Sequence, residues 1–137
     1  MKNFFLTTAF AFSAFMYADA QTKGPEIQFA TESHDYGTFN EGAKASFVFT
    51  FKNTGSEPLI ISNVKSSCPC VVTVWSKDAV APGQSAKISV DYLSDKRAGT
   101  FHKAITISSN AKSAVKILTI KGTVIGKTDE PLIKKPE

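Results

Sequence analysis

The sequence predicts an all-β fold, an antiparallel β-sandwich of about seven strands. Apolar and polar side chains alternate at period two in several segments, and Phe47, Phe49 and Phe51 are the clearest case. Segments rich in glycine, proline, asparagine and serine separate these runs at intervals of about eight to twelve residues. Beyond the first 20 residues no segment has an apolar stripe at helical spacing. About 100 residues is the usual size of such a sandwich.

The first 20 residues predict a signal peptide. Lys2 gives a positive start, residues 4–16 are mostly apolar, and residues 18–20 have the small-x-small form that signal peptidase accepts. We therefore expect cleavage between Ala20 and Gln21. The apolar segment is shorter than the roughly 20 residues of a membrane-spanning helix. This predicts a periplasmic or secreted protein without a stable membrane anchor after cleavage.

The predicted mature chain contains one domain. Residues 1–20 are assigned to the signal peptide, residues 21–125 to the sandwich and residues 126–137 to a flexible polar tail. The tail contains Pro131 and Pro136 and has no apolar period. The remaining chain is long enough for one packed core and too short for a second domain.

Charge and cysteine content exclude some classes of function. The net charge is +4, but the lysines are spread singly along the chain and are not grouped with aromatic residues. This distribution argues against nucleic acid as a partner. Two cysteines cannot form a disulfide-dense framework, so we expect packed strand faces to provide most of the stability.

Before the central stretch, two segments are expected to be extended. Residues 26–30 predict a first strand with Ile27 and Phe29 on one face. Residues 34–42 contain two glycines around Tyr36 and Phe39. We interpret this second segment as an irregular edge pinned by its aromatic side chains.

The central stretch runs from Lys44 to Cys70. Residues 44–52 predict the most regular strand, residues 53–58 have the composition of a turn, and residues 59–64 begin a second β-rich run. We interpret these segments as a hairpin whose far end carries the two cysteines.

The second half of the chain continues the same pattern. Residues 81–84, Ala-Pro-Gly-Gln, predict a type II turn. Trp75, the only tryptophan, is expected to plug the core or its rim rather than to stack on a ligand. Gly122 interrupts an apolar row, which often marks a bulge or the close approach of another backbone. The predicted strands are residues 71–75, 87–92, 101–108 and 115–124. One face is expected to carry Ile88, Val90 and Tyr92 in the second of these, Phe101, Ile105 and Ile107 in the third, and Leu118, Ile120 and Val124 in the fourth.

Several short motifs follow one another in a specific order. They are Lys52-Asn53-Thr54-Gly55 with Pro58-Leu59-Ile60-Ile61, Ser67-Cys68-Pro69-Cys70, Ala81-Pro82-Gly83, Gly99-Thr100-Phe101 with Ser109-Asn110, and Ile120-Lys121-Gly122. Over residues 27–124 this order resembles bacterial exported proteins classed as domain of unknown function 1573. It is more distantly similar to Hydin-type immunoglobulin-like domains. The resemblance implies an immunoglobulin-like β-sandwich without an established enzymatic activity.

The chain departs from this family at its cysteines. The family usually has Cys-Gly-Cys where this chain has Cys68-Pro69-Cys70, and proline fixes φ near about −65°. This departure argues against a role that depends on glycine geometry at this position. A role that needs only two nearby sulfurs is retained.

Cys68 and Cys70 are the main candidates for chemistry beyond packing. In a straight strand their Cα atoms would lie about 6.5 to 7 Å apart, at the limit for a disulfide, and a bend at Pro69 would shorten this distance. Three interpretations stay open, besides an intermolecular bond. The pair forms a redox-active disulfide, captures Cu(I) with help from His34 or His102, or fills and pins a strand end as thiols or as a structural bridge.

No motif indicates catalysis. His34 and His102 are the only histidines, and neither a Gly-x-Ser-x-Gly elbow nor a recognisable carboxylate pair is present. The adjacent His34 and Asp35 would point to opposite sides of an extended segment. We therefore expect no enzyme and no cofactor. The leading hypothesis is an exported module that binds a protein or glycan partner, and the alternative is a thiol-redox or Cu(I)-binding protein.

Overall fold

The computed structural model describes residues 23–127, and this range forms eight β-strands without a helix. The strands are β1 (Ile27–Phe29), β2 (Ser33–Asn40), β3 (Ala45–Asn53), β4 (Ile61–Ser66), β5 (Val71–Trp75), β6 (Ser85–Tyr92), β7 (Gly99–Ser109) and β8 (Val115–Ile125). The predicted all-β sandwich is confirmed. The predicted irregular edge after β1 is an edge strand, β2, whose pairing with β8 shifts register, and it accounts for the eighth strand.

The strands form two sheets of four. The first sheet has the order β1-β3-β6-β5 and the second has the order β2-β8-β7-β4. Every paired strand is antiparallel to its neighbour except β2, which runs parallel to β8. Between β1 and β2 the chain therefore crosses from one sheet to the other.

The predicted hairpin of β3 and β4 is wrong. β3 pairs with β1 and β6 in the first sheet, whereas β4 pairs with β7 in the second sheet. The segment between the strands crosses the sandwich, and Leu59 is fully buried there and bridges to Val80. Because each strand has one apolar face, placing them in opposing sheets lets both faces meet in the core.

The core lies between the two sheets. Phe49, Ile88 and Val90 from the first sheet are completely buried, as are Ile105 and Leu118 from the second. These residues alternate with exposed or half-buried neighbours along their strands. The period-two pattern therefore predicted the buried faces of β1, β3, β6, β7 and β8 correctly.

Aromatic side chains join the sheets at one end. The rings of Tyr92 from β6 and Phe101 from β7 are stacked with centroids 3.8 Å apart. Tyr36 and Phe39 of β2 pack against the same cluster. Both aromatic residues that were expected to pin this edge therefore contact the core.

Tyr36 also forms a hydrogen bond between the sheets. Its hydroxyl donates to the backbone carbonyl of Val90 in β6, at 3.1 Å. Burial, with a smaller contribution from the nearby Asp91 carboxylate, raises the pKa of Tyr36 to about 12. The protonated phenol is therefore the form that the folded chain favours.

A pH titration is expected to detect this preference. Since the folded pKa lies above the unfolded value of 10, the contribution of Tyr36 to stability is present below pH 10 and is lost as pH rises toward 12. Tyr36→Phe should remove this part of the alkaline loss and cost about 1 kcal/mol at neutral pH. Urea unfolding at several pH values measures both effects. An alkaline profile that is identical in the variant would contradict the assignment.

Gly122 lies at the predicted irregularity. The pairing of β2 with β8 shifts register between Asp35 and Thr38, and Gly122 is the β8 residue within that gap. A Cβ atom on Gly122 would meet the Phe101 ring at 2.9 Å and the carbonyl oxygen of Gly37 at 3.1 Å. Both parts of the prediction, a bulge and a close backbone approach, are confirmed.

The turn after β5 also follows the prediction. Gly83 has φ +79°, and the Gln84 amide donates to the Ala81 carbonyl at 3.0 Å. These features match a type II turn with glycine at its third position.

Within residues 23–127 no helix has the length and apolarity needed to cross a membrane. The predicted signal cleavage at Ala20 and Gln21 and most of the predicted tail, from residue 128 on, lie outside the described residues.

Candidate functional site

The two cysteines lie in the turn that carries the chain from the second sheet to the first. β4 ends at Ser66 and β5 begins at Val71, and these are edge strands of opposite sheets. The sulfurs of Cys68 and Cys70 are bonded to each other, and their Cα atoms are 5.1 Å apart. The turn at Pro69 therefore brings the Cα atoms closer than a straight strand would.

The two halves of this bridge have different environments. Cys70 is completely buried and belongs to the core, whereas Cys68 is only half-buried. The amide of Cys70 donates to the Cys68 sulfur at 3.2 Å. Of the two residues, only Cys68 therefore has surface that a reagent in solution can contact.

Serines hold the turn in place. Ser67 exchanges two hydrogen bonds with Ala104 of β7, donating through its amide at 2.9 Å and accepting on its hydroxyl at 3.2 Å. The Ser66 hydroxyl donates to the Cys68 carbonyl at 2.6 Å. On the other side, the Leu93 amide donates to the Cys70 carbonyl at 2.7 Å. The cysteine turn is thus tied to both sheets.

The histidines do not assemble with the cysteines. His34 lies on β2, at the opposite edge of its sheet from β4. Its ring stacks on Phe47 at 3.7 Å, and burial lowers its pKa against the opposing effect of Asp35. His102 is exposed on β7. Among residues 23–127 no group of three or more His, Cys, Asp or Glu side chains has a metal-binding arrangement.

His34 and Asp35 point to opposite sides of β2, as expected for adjacent residues in a strand. The His34 ring contacts the core aromatic Phe47, whereas the Asp35 carboxylate lies 3.7 Å from the ammonium of Lys121 on the outer face. The edge position predicted for His34 is confirmed. The two side chains cannot act together on one substrate.

An open sheet edge at β5 is a feature that sequence reasoning missed. β5 pairs with β6 on one side and with no described strand on the other. Its side chains Val72 and Val74 are 44% and 64% exposed, and Val48 of β3 is 45% exposed. Val48 and Val74 are both opposite Ser89 of β6, so they share one row across the sheet. We call these three residues the valine patch.

Trp75 ends β5. Its side chain is half-buried and packs against the core, which confirms the expected rim position. Its indole nitrogen is buried without a hydrogen-bond partner in the described part of the chain. The sequence contains no signal for this open edge, because Val-Val-Thr-Val-Trp lacks the charges and prolines that commonly mark edge strands.

A second exposed apolar pair lies on the outer face of the other sheet. Val115 and Ile117 of β8 are each 57% exposed. Their partners on β7 are Ser108 and Thr106, so hydroxyl groups border the pair. This arrangement combines aliphatic contact area with hydrogen-bonding groups on a regular sheet surface.

The fold and this surface can be compared with known proteins. A family described as a protein of unknown function (DUF1573) matches residues 27–124. This chain belongs to the DUF1573 family. A comparison of this DUF1573 protein with curated proteins finds no significant match.

Solved structures resemble the DUF1573 chain in fold. A protein of unknown function from Porphyromonas gingivalis is 18% identical with a TM-score of 0.64, and the match covers 80% of this chain and 51% of that one. The DUF1573 chain thus spans about half the length of that protein. PapD-like domain 7 of human CEP192 is 10% identical with a TM-score of 0.64, covering 87% of this chain and 99% of that domain.

A third similar structure belongs to an enzyme. The secreted serine protease VesC from Vibrio cholerae is 15% identical with a TM-score of 0.55, and the match covers 72% of this chain but 23% of the protease. At these identities the comparisons establish the immunoglobulin-like sandwich fold and nothing about activity.

Proposed function

We propose that this DUF1573 protein is an exported, non-catalytic module that binds a protein partner in the cell envelope or in the medium. The observation that carries the proposal is the exposed pair Val115 and Ile117 on the regular outer face of β8. Exposed aliphatic residues bordered by hydroxyl groups resemble the apolar centre and polar surroundings of a protein interface.

The chemistry of the exposed residues favours a protein over a glycan. The large apolar side chains that are exposed in the described range are all valine, leucine or isoleucine. A sugar ring therefore finds no fully exposed aromatic face there on which to stack.

The contacts of two titratable side chains support the non-catalytic part of the proposal. His34 and Tyr36 have groups suited to proton transfer, but both form contacts that hold the fold together.

Capture from the native envelope or medium tests the proposal. The mature chain is used as bait beside Val115→Thr/Ile117→Thr, in which both apolar side chains become polar but keep the β-branched shape suited to a strand. The wild type should retain a specific protein that the variant loses, while the variant unfolds at the same urea concentration. Equal capture by both baits, or turnover of a substrate by the purified chain, would refute the proposal.

The asymmetric bridge supports a second candidate, thiol–disulfide exchange. A thiolate of a partner would attack the sulfur of the half-buried Cys68, form a mixed disulfide with it and release Cys70 as a thiolate; a second thiolate on the partner would then free Cys68. The Cys68–Cys70 disulfide gains two electrons and becomes two thiols, and the two thiols of the partner are oxidised to a disulfide. Because Cys70 is completely buried, its charge would form in an apolar site. We therefore expect this exchange to be slow.

Reduction of the bridge provides a quantitative prediction. With a small dithiol reductant, the folded chain should react at least about tenfold more slowly than the urea-unfolded chain, because the buried leaving group is solvated only after unfolding. Free-thiol titration over time measures both rates. Folded and unfolded rates that agree within a factor of two would favour the exchange function.

Cu(I) competition with the reduced protein tests the metal alternative in the same samples.

A further inference from the structure

The four outer edges of the sandwich are not equally protected against pairing with another chain. β1 is three residues long, β2 contains a bulge next to Asp35, and β4 contains a register shift between Ile61 and Asn63. Short strands, bulges and charges are the devices by which proteins block edge-to-edge association. β1 pairs with β3 only at residues 51–53 of β3. Beyond this pairing, the ring of His34 from β2 stacks on the ring of Phe47 from β3.

β5 has none of these devices. Its pairing with β6 is regular from Val71 opposite Tyr92 to Trp75 opposite Ile88. The strand contains no charge, proline or glycine, and its outward side chains Val72 and Val74 are exposed. Within the described range, β5 is therefore the one edge at which a further strand can continue the sheet without a local obstacle.

We infer that β5 pairs antiparallel with β5 of a second copy of this chain, so that two first sheets join into one eight-stranded sheet. With the two-fold axis at Val74, residues 73–75 of the two copies lie opposite one another and Val72 lies opposite Ser76, so outward backbone groups of these residues can pair. With Val74 opposite Val74 of the second copy, the row formed by Val48, Ser89 and Val74 continues into the same row of that copy. The two valine patches then form one apolar surface at the centre of the joint.

The charges beside β5 favour this partner and this orientation. On β6, Lys87 lies next to the Trp75 end of β5, whereas Asp91 is opposite Val72 near the other end. Lys77 and Asp78 follow β5, and their opposite charges cancel. A two-fold axis between the strands reverses one copy, so that the Lys87 row of each copy lies in line with the Asp91 row of the other, about 14 Å away across the two β5 strands.

The number of open edges decides the size of the assembly. Because residues 23–127 of each copy offer one unprotected edge and use it in a symmetric contact, this part of the chain closes the assembly at two copies rather than extending it into a fibre. This inference does not depend on the proposed partner. It concerns β5 and the first sheet, whereas the proposed partner surface lies on β8 of the second sheet.

Sedimentation equilibrium of the mature chain over a wide concentration range tests the dimer. Wild type should approach twice the monomer mass, and Val74→Lys should raise the dissociation constant about tenfold or more, because two like charges would face each other at the axis. Val115→Lys is the matched control, since it adds the same charge at a similarly exposed position on another sheet. It should leave the dimer intact.

Disulfide trapping tests the register. A Val74→Cys variant should form a covalent dimer on mild oxidation, whereas Val115→Cys should not. A chain that stays monomeric at every concentration overturns the inference, as does a dimer that Val74→Lys leaves unchanged. The inference would also be overturned if the purified wild-type chain carried a strand of another protein that protects the β5 amides from hydrogen exchange. Capture of a partner through Val115 and Ile117 is unaffected by any of these outcomes.

Discussion

Asn53→Ala is expected to lower the free energy of unfolding by about 2 to 4 kcal/mol. The Asn53 side chain is completely buried at the end of β3, where it forms four hydrogen bonds. Its amide nitrogen donates to the carbonyls of Glu57 and Val80 at 2.7 and 2.9 Å. Its oxygen accepts from the amides of Gly55 and Glu26 at 3.0 and 3.4 Å.

The size of the effect follows from the number of backbone groups that lose a partner. Alanine would leave two amides and two carbonyls from three separate segments without these bonds, and a buried unsatisfied group costs about 1 kcal/mol or more. The same side chain holds the crossing segment against the turn before β6. Its loss therefore weakens the connection that places β3 and β4 in different sheets.

Urea unfolding followed by fluorescence of Trp75 measures the loss. Asn63→Ala is the matched control, because Asn63 is exposed on β4 and the same substitution there should change stability by less than about 0.5 kcal/mol. If Asn53→Ala were as stable as Asn63→Ala, the hydrogen-bond network around Asn53 would not contribute as we describe.

Gly122→Ala is expected to cost about 1 to 3 kcal/mol by overpacking. The added methyl group would lie 2.9 Å from two atoms of the Phe101 ring, which is itself held by its stack on Tyr92. It would also approach the Gly37 backbone of β2. Since a backbone atom and a packed ring lie on its two sides, the methyl group has no free space into which to relax.

A double-mutant cycle identifies the cause of this loss. Phe101→Leu shortens the side chain that the new methyl group meets, so the combined variant should be more stable than the sum of the two single changes predicts. Lys121→Ala, an exposed neighbour on the same strand, should have a small effect. Strict additivity in thermal or urea unfolding would show that Phe101 is not the obstacle.

The alternation of residues predicted most strands and their buried faces. Phe49, Ile88 and Ile105 were assigned to the core from period two alone, and all three are completely buried. Alternation is a property of the chain's local geometry, because successive side chains in a strand point to opposite faces. Gly122 was also recognised, since the missing side chain in an apolar row is itself visible in the sequence.

The candidate site was predicted only in part. The sequence identified Cys68 and Cys70 as a pair, but not that the turn between them joins opposite sheets or that Cys70 is completely buried while Cys68 is half-buried. It did not identify Asn53 as a buried residue, because the same Asn-Thr-Gly sequence is typical of an exposed turn. Burial depends on the segments at residues 24–26 and 80–84, which are distant in the chain.

By itself, the sequence determined that this chain forms strands and which side of the regularly alternating strands faces the core. The tertiary structure decided which strands are neighbours: it separated β3 from β4, placed β2 parallel to β8 and left β5 at an open edge. The physical reason is that each alternating strand satisfies its own pattern beside many partners. The choice among them depends on the shared burial and hydrogen bonding of residues far apart in the chain.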